Sequence, residues 1–177
     1  MNICVFGASS NEINKEYIMA GEELGRQMAA AGHKLVFGGG DTGLMGAVAR
    51  GVKEGGGHIT GVAPTFFDLP GVLYQESDEF IYTETMRERK EIMDQKAEAF
   101  IMTPGGIGTM EEFFEIYTLK QLGRHSKPIG ILNVDGYYDD LIRLLQSTAE
   151  KGFMAMECLD LLCVAATPQE LLSLMTA

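Results

Sequence analysis

Residues Ala99–Leu122 read AFIMTPGGIGTMEEFFEIYTLKQL, and this stretch decides the fold. The run Ala99–Met102 is apolar, too short for a helix and soon followed by a proline and two glycines, which is typical of a buried parallel strand. From Met110 to Leu122 apolar residues recur at the spacing of a helix. A strand, a glycine turn and a helix N-terminus form an anion-binding geometry, because free N–H groups and the helix dipole favour a phosphate. The stretch therefore predicts an α/β fold with an anion site at its central turn.

Glu112 is the residue of this stretch for which two roles stay open. Its carboxylate would repel an anion bound at the same turn unless it takes part in the chemistry. The spacing Thr109-x-x-Glu112 also matches a capping box, in which Thr109 caps the helix and Glu112 reaches back to the cap. The spacing alone does not separate a catalytic carboxylate from a capping one.

The bulk composition is that of an ordinary globular protein. The chain has 177 residues, of which 46% are hydrophobic and 22% charged, so we predict a single domain over residues 1–177. Its net charge of −11 argues against a nucleic-acid partner and against an anionic membrane surface, which both require a basic footprint.

The cysteines and the N-terminus exclude further classes. Cys4, Cys158 and Cys163 have no metal-ligand spacing, so we predict inert thiols and no metal. Neither a secretory signal nor a transmembrane segment is recognisable, which predicts a cytoplasmic protein.

Short apolar runs alternate with helical patterns along the whole chain. This alternation predicts a doubly wound, Rossmann-like parallel sheet of about seven strands with helices on both faces. Its ligand crevice should lie at the carboxyl ends of the strands, where the turns at Gly7, Gly38 and Pro104 fall. The expected strands are 2–6, 34–37, 58–64, 80–82, 99–102, 128–132 and 160–164, and the clearest helices are 17–31, 85–96, 110–122, 137–151 and 169–175.

Two further glycine turns are candidates for ligand contact. Gly38, Gly40 and Gly43 satisfy the G-x-G-x-x-G pattern of dinucleotide sites. However, the pattern follows the second strand and no acidic residue closes the next one, so a loop that contacts a phosphate or sugar fits better than a full NAD site. The turn Gly7–Ser10 is equally compatible with a phosphate site and with a simple tight turn.

A cluster of three cations lies near the start of the helix that Thr85-x-x-Glu88 opens as a capping box. Arg87, Arg89 and Lys90 form either a solvated charged face or a binding site for a phosphate or carboxylate. The irregular segment 65–80 before this helix is either a lid or a long surface connection.

Several of these stretches together resemble the Lonely Guy family. The resemblance is carried by the glycine loop 38–46, by Met86 with Arg89 and Lys90, by the motif P-G-G-x-G-T-x-x-E at 104–112, and by the segment 127–138. Members are cytokinin riboside 5′-monophosphate phosphoribohydrolases that were long labelled lysine decarboxylases. Histidine is usual in the family where Arg87 stands, and residues 65–80 match its pattern poorly.

The resemblance implies hydrolysis of the N-glycosidic bond of a purine nucleoside 5′-monophosphate by a homodimer. It makes Arg89 and Glu112 the catalytic pair. We predict that the reaction needs no cofactor. The substrate-binding residues that we predict are Ser9, Gly39, Gly40, Gly43, Met86, Lys90, Gly105, Gly106, Ile107, Gly108, Thr109, Glu111 and Thr118.

The chemistry of the two catalytic candidates agrees with this implication. Breaking a glycosidic bond builds positive charge on the ribose, which a carboxylate such as Glu112 stabilises while it orients or deprotonates a water. We expect Arg89 to hold Glu112 ionised through a bidentate pair that lowers the carboxyl pKa. Capping remains a possible second role of Glu112.

Three rival functions follow from the sequence. A non-catalytic nucleotide or cofactor carrier on the same fold is the first, and a Glu112 outside the sugar site would favour it. A pyridoxal-dependent decarboxylase is a poor rival, because nothing marks a Schiff-base lysine. A pure interaction module is the third, and three glycine loops at one sheet edge argue against it.

The helix Met110–Leu122 also predicts a homodimer. Phe113, Phe114, Ile116 and Tyr117 cover more than one face of it, so one side can pack on the sheet while the other needs a partner subunit as its cover.

Overall fold

The computed structural model describes residues 1–176 and contains one seven-stranded parallel sheet. The strands are β1 (Asn2–Phe6), β2 (Lys34–Phe37), β3 (Ile59–Pro64), β4 (Glu79–Thr83), β5 (Ala99–Met102), β6 (Ile129–Leu132) and β7 (Leu162–Ala165). The helices are α1 (Lys15–Ala30), α2 (Gly43–Glu54), α3 (Met86–Lys96), α4 (Ile107–Gln121), α5 (Asp139–Glu150) and α6 (Pro168–Thr176). The predicted fold class is confirmed.

The strand order β4-β3-β2-β1-β5-β6-β7 places the topological switch between β1 and β5. The chain winds outward from β1 in one direction and from β5 in the other, so the loops after these two strands diverge and open a crevice. Ile3 pairs with Ala99 and Phe6 with Met102, which brings the ends of β1 and β5 level with each other. Gly7 and Pro104 therefore face the same crevice.

The sheet is covered on both faces, and each face has its own hydrophobic core. One core joins the sheet to α1, α2 and α6 through residues such as Leu24, Val48 and Leu171. The other joins it to α3, α4 and α5 through Met93, Phe113 and Leu145. This double cover explains why the strands are continuous apolar runs in the sequence.

The start of α4 differs from the prediction. The helix begins at Ile107, three residues before Met110, because Gly106 adopts an extended conformation and its carbonyl accepts the first helical hydrogen bond from Met110 N at 3.1 Å. Thr109 is thus inside the first turn and makes no cap, so the predicted Thr109–Glu112 capping box is wrong. Gly108, a poor helix former, concealed this first turn in the sequence.

The capping box at the start of α3 is present. Thr85 Oγ1 accepts a hydrogen bond from Glu88 N at 3.1 Å, and Glu88 Oε2 accepts one from Glu84 N at 2.8 Å. The box fixes the first turn of α3, and with it the position of Arg89 one turn later.

Of the cysteines, Cys4 and Cys158 are buried and Cys163 is partly exposed, and all three are free thiols. Within residues 1–176 no cluster of His, Cys, Asp and Glu side chains is arranged to hold a metal ion. No helix in the same range is long and apolar enough to span a bilayer.

Candidate active site

A cavity of about 390 Å³ opens at the carboxyl ends of the central strands. Its walls come from the turns after β1, β2 and β5, from the starts of α3 and α4, and from the segment between β3 and β4. The lining residues are Gly7, Ala8, Ser9, Gly38, Gly40, Met45, Phe67, Val72, Leu73, Met86, Arg89, Gly106, Gly108, Thr109, Glu111 and Glu112. All three predicted glycine turns therefore meet at one cavity.

One wall of the cavity carries main-chain N–H groups that have no acceptor in the described chain. It consists of residues 103–109, which we call the anion loop, and it leads from β5 into the first turn of α4. In the described chain no residue accepts a hydrogen bond from the N–H groups of Gly106, Ile107, Gly108 or Thr109. These free donors lie at the positive end of the helix dipole, so the loop offers main-chain hydrogen bonds to a phosphate.

Arg89 is anchored beneath this cavity by α3 and is only 6% exposed. Its Nε donates a hydrogen bond to Val62 O at 3.1 Å, and its Nη1 donates one to Glu112 Oε1 at 2.7 Å. Nη2 lies against Gly38, where any side chain would collide with it. Nη2 has no acceptor among residues 1–176, so it remains available to a ligand in the cavity.

The ion pair differs from the predicted one in two respects. It uses a single Arg89–Glu112 hydrogen bond, because the carbonyl of Val62 occupies Arg89 Nε. Burial raises the pKa of Glu112 above its ordinary value of 4.5, although the nearby Arg89 charge acts in the opposite direction. The predicted lowering of this pKa is therefore wrong, because desolvation of the carboxylate outweighs its attraction to Arg89.

Lys90 is turned away from the cavity that Arg89 lines. Its Nζ contacts Glu111 Oε1 and Glu115 Oε2, both at 2.5 Å, and these hydrogen bonds raise the Lys90 pKa. It lines a smaller cleft of about 180 Å³ between α3 and α4, together with Arg87 and Glu115. The predicted cation cluster is thus divided, with Arg89 in the cavity and the other two cations in the cleft.

The structure brings most of the predicted site residues together. Ser9, Gly40, Met86, Gly106, Gly108, Thr109 and Glu111 line the cavity with Arg89 and Glu112. Gly39, Gly43 and Gly105 belong to the turns around the cavity but do not line it, Ile107 is exposed, and Lys90 faces the cleft. Thr118 is exposed near the far end of α4, away from the cavity.

The apolar end of the cavity was not predicted residue by residue. Phe67, Val72 and Leu73 come from the segment 65–80, and Met45 comes from α2. The segment is held in place by a bridge between Leu73 and Gly40 and by a hydrogen bond from Tyr74 N to Gly39 O at 2.8 Å. In the sequence this wall is indicated by Phe66 and Phe67, two large apolar residues in an irregular stretch between Pro64 and Pro70.

Comparison with known proteins agrees with this arrangement. A family model described as "Possible lysine decarboxylase" matches residues 45–175. A cytokinin riboside 5′-monophosphate phosphoribohydrolase of Arabidopsis thaliana is 38% identical over 173 residues, which are 98% of this chain and 81% of the relative. A relative from Oryza sativa subsp. japonica, named a probable enzyme of the same activity, is 40% identical over 169 residues, or 96% and 80% of the two chains.

The chain belongs to the Lonely Guy family. Solved structures of other proteins share the fold of this Lonely Guy family member. The molybdenum cofactor carrier protein of Chlamydomonas reinhardtii matches with a TM-score of 0.75 at 24% identity, over 99% of this chain and 95% of the other. A molybdenum cofactor binding protein from Rippkaea orientalis gives the same TM-score at 20% identity, over 99% and 94%.

Proposed function

We propose that this chain hydrolyses the N-glycosidic bond of a purine nucleoside 5′-monophosphate and releases the free base and ribose 5-phosphate. The observation that carries the proposal is the buried Arg89–Glu112 pair, which lines the same cavity as the free N–H groups of the anion loop. The relatives of about 40% identity are named for this activity, which supports the same conclusion.

We propose a position for each part of the substrate. The 5′-phosphate binds the N–H groups at the start of α4. Glu112 lies one helical turn beyond Gly108, about 6 Å further along the axis, so its carboxylate faces the sugar of a nucleotide held there. Arg89 Nη2 reaches the same space from the side of Gly38.

The reaction follows from these positions. The bond between the sugar C1′ and the base nitrogen breaks, and its electron pair leaves with the base. Ionised Glu112 stabilises the positive charge that develops on the ribose and orients a water towards C1′. As the water oxygen bonds to C1′, its proton passes to Glu112, which returns it to the departing base. Arg89 fixes the carboxylate in the orientation that this transfer needs.

The base would occupy the apolar end of the cavity. Phe67, Val72 and Leu73 form one side of it, and Met45 and Met86 form others. Apolar contacts of this kind accept the face of a purine and an alkyl group attached to it. We therefore propose both AMP and an N6-prenylated analogue as substrates.

The carrier alternative has less support from the same cavity. A carrier has no use for a buried carboxylate beside its anion loop, and burial of Glu112 is costly. The two molybdenum cofactor proteins named above are 20% and 24% identical to this chain, so they share its fold and do not favour the carrier function.

Incubation with AMP is the direct test. We expect release of adenine and ribose 5-phosphate without added metal or nicotinamide, because the main-chain N–H groups of the anion loop hold the phosphate. Chromatography of the free base, with AMP and an isopentenyl-adenine nucleotide side by side, measures both activity and base preference. Activity that disappears with a chelator and returns with a divalent ion would contradict the metal-free mechanism.

We also propose that the active form is a homodimer that covers the outer side of α4. Phe113, Ile116 and Tyr117 are buried in the chain's own core, so the apolar surface left for a partner is narrower than the sequence predicted. It includes Ile107, 83% exposed, Phe114, 37% exposed, and Leu122, 65% exposed. A stable two-fold contact here would bury about 1,600 Å² in total.

Phe114→Glu is expected to give monomers of low activity, because a charge at the centre of an apolar contact leaves a carboxylate without a partner. Analytical ultracentrifugation with activity measured on the same sample tests this. Leu144→Glu, which places the same charge at an exposed leucine on α5, serves as the control. If the unmodified protein sediments as a monomer at micromolar concentration and has full turnover, the proposal of an active homodimer is wrong.

A further inference from the structure

Three consecutive carbonyl groups of the anion loop are held by hydrogen bonds from outside the loop. Tyr138 OH donates to Thr103 O at 2.8 Å, and Tyr137 OH donates to Gly105 O at 2.8 Å. Between them, Ala8 N donates to Pro104 O at 3.1 Å. Each carbonyl of the turn is therefore tied to a donor that the ligand does not supply.

This arrangement sets the direction of the peptide groups that follow. Because a peptide unit is planar, a carbonyl held on one side of the turn points the N–H of the next residue to the other side. Gly105 O thus sets the direction of Gly106 N–H, whereas Thr103 O is followed by Pro104, which has no N–H, so its hydrogen bond fixes only the start of the loop. Gly106 O is taken by Met110 N, so the carbonyls from Thr103 to Gly106 are all engaged. The N–H groups of Gly106, Ile107, Gly108 and Thr109 are left without acceptors in the described chain, as an anion site requires.

The two tyrosines are themselves firmly positioned. Tyr138 is 1% exposed, and its N–H donates to Asn133 Oδ1 at 2.7 Å. Asp135, with φ 51°, is the one non-glycine residue of the described chain with a positive φ, and Gly136 follows with φ 68°. Residues other than glycine rarely adopt a positive φ. At Asp135 and Gly136 this conformation turns the chain just before the two tyrosines, whose hydroxyls reach the anion loop.

We infer that Tyr137 and Tyr138 are positioning residues for phosphate binding. Tyr137 orients the Gly105–Gly106 peptide through Gly105 O, and Tyr138 fixes the start of the anion loop through Thr103 O. This tyrosine pair orients the anion loop and makes no contact with the substrate of its own, since neither residue lines the cavity. The inference rests on the proposed function, because it takes the 5′-phosphate as the loop's ligand. Without the hydroxyls the carbonyls of the loop are free to turn inward and repel the anion.

The test removes only the hydroxyl groups. Tyr137→Phe and Tyr138→Phe are compared with Tyr117→Phe, a matched control in which a buried tyrosine loses a 2.9 Å hydrogen bond to Cys158 O. In protein labelled with ¹⁵N-glycine, the amide signals of Gly105, Gly106 and Gly108 are titrated with inorganic phosphate and with ribose 5-phosphate. Melting temperature and the kinetics of AMP cleavage are recorded for each variant.

We expect the Kd for both anions to rise about fivefold in each of the two variants, the effect of one hydrogen bond, with no change in Tyr117→Phe. The KM for AMP should rise by a similar factor while kcat changes less. Tyr138→Phe leaves a buried carbonyl without a donor and will melt earlier, as Tyr117→Phe will. Should Tyr138→Phe not fold, Tyr137→Phe carries the test, because Tyr137 is 41% exposed.

The two proposals fail in different ways. Unchanged anion affinity in both tyrosine variants, whatever their melting temperatures, would overturn the positioning role and leave the proposed function intact. If the unmodified protein binds neither anion, the positioning role is likewise overturned. If the unmodified protein binds phosphate but leaves AMP whole, and the variants bind phosphate more weakly, then the proposed reaction is wrong and the positioning role stands.

Discussion

Glu112→Gln is expected to lower kcat for AMP cleavage by about 10²-fold or more while the protein keeps its fold. Glutamine has the same shape and still accepts the hydrogen bond from Arg89 Nη1, but it carries no charge to stabilise the ribose cation and takes no proton from water. The buried Arg89 guanidinium loses its counter-charge in this variant, but the amide oxygen keeps the hydrogen bond and burial disfavours the charged carboxylate, so we expect the protein to stay folded with at most a lower melting temperature. Steady-state kinetics and thermal unfolding of the same preparation separate the two effects.

Glu115→Gln is the matched control for this variant. Glu115 lies one turn further along α4, is paired with Lys90 and faces the cleft, so its neutralisation should leave kcat nearly unchanged. A Glu112→Gln protein that melts earlier but cleaves AMP at the normal rate would show that this carboxylate is only structural.

The pH profile gives the same prediction an independent readout. Since burial raises the pKa of Glu112, kcat/KM should fall as the pH is lowered through a value above the ordinary 4.5. The free energy of unfolding should change with pH in the opposite direction from the activity, because the folded protein favours the protonated form of Glu112. Its stabilising contribution is present below the ordinary carboxyl range and is lost as the pH rises through the raised pKa. An acid limb of activity at or below 4.5 would contradict the assignment.

Arg89→Ala is expected to abolish measurable turnover and also to destabilise the protein. The change leaves Glu112 in a buried site without its cation and Val62 O without a donor, at a cost of about 3–5 kcal/mol. The Glu112 pKa should rise further, so less of the reactive carboxylate is present at neutral pH. The ligand also loses Nη2, the donor that faces the cavity. AMP cleavage, nucleotide binding and thermal unfolding are the measurements.

A double variant distinguishes catalysis from folding here. Arg89→Ala combined with Glu112→Gln removes the uncompensated buried charge, so it should recover much of the lost stability and none of the activity. Arg143→Ala, which removes an exposed arginine on α5, controls for the loss of one positive charge. Full activity in stable Arg89→Ala would exclude Arg89 from the reaction.

The regular elements could be predicted because their signals are local. The strands Asn2–Phe6, Lys34–Phe37 and Ala99–Met102 have the predicted bounds, since a buried parallel strand is an uninterrupted apolar run between breakers. Thr85 was identified as a helix cap because its partner Glu88 is three residues away. The start of α4 was missed because a glycine in its first turn hides helical periodicity.

Contacts between distant residues could not be predicted in the same way. Lys90 was expected to bind phosphate, but two carboxylates of α4 hold it in the cleft. The hydroxyls of Tyr137 and Tyr138 reach a loop more than thirty residues earlier in the chain, at separations of 32 and 35 residues. Neither contact produces a recognisable pattern in the sequence, because the residues that it joins lie on different elements.

The sequence by itself determined the parallel sheet, the anion turn before α4 and the identity of the candidate pair Arg89 and Glu112. The sheet and the turn depend on local patterns, and the pair on what the resemblance to the Lonely Guy family implies, so none of them needs knowledge of which elements touch. The tertiary structure alone decided the state of that pair. Arg89 and Glu112 are 23 residues apart, and burial between β3, α3 and α4 limits them to one hydrogen bond and raises the Glu112 pKa. Desolvation is a property of the assembled interior, which no stretch of the chain carries on its own.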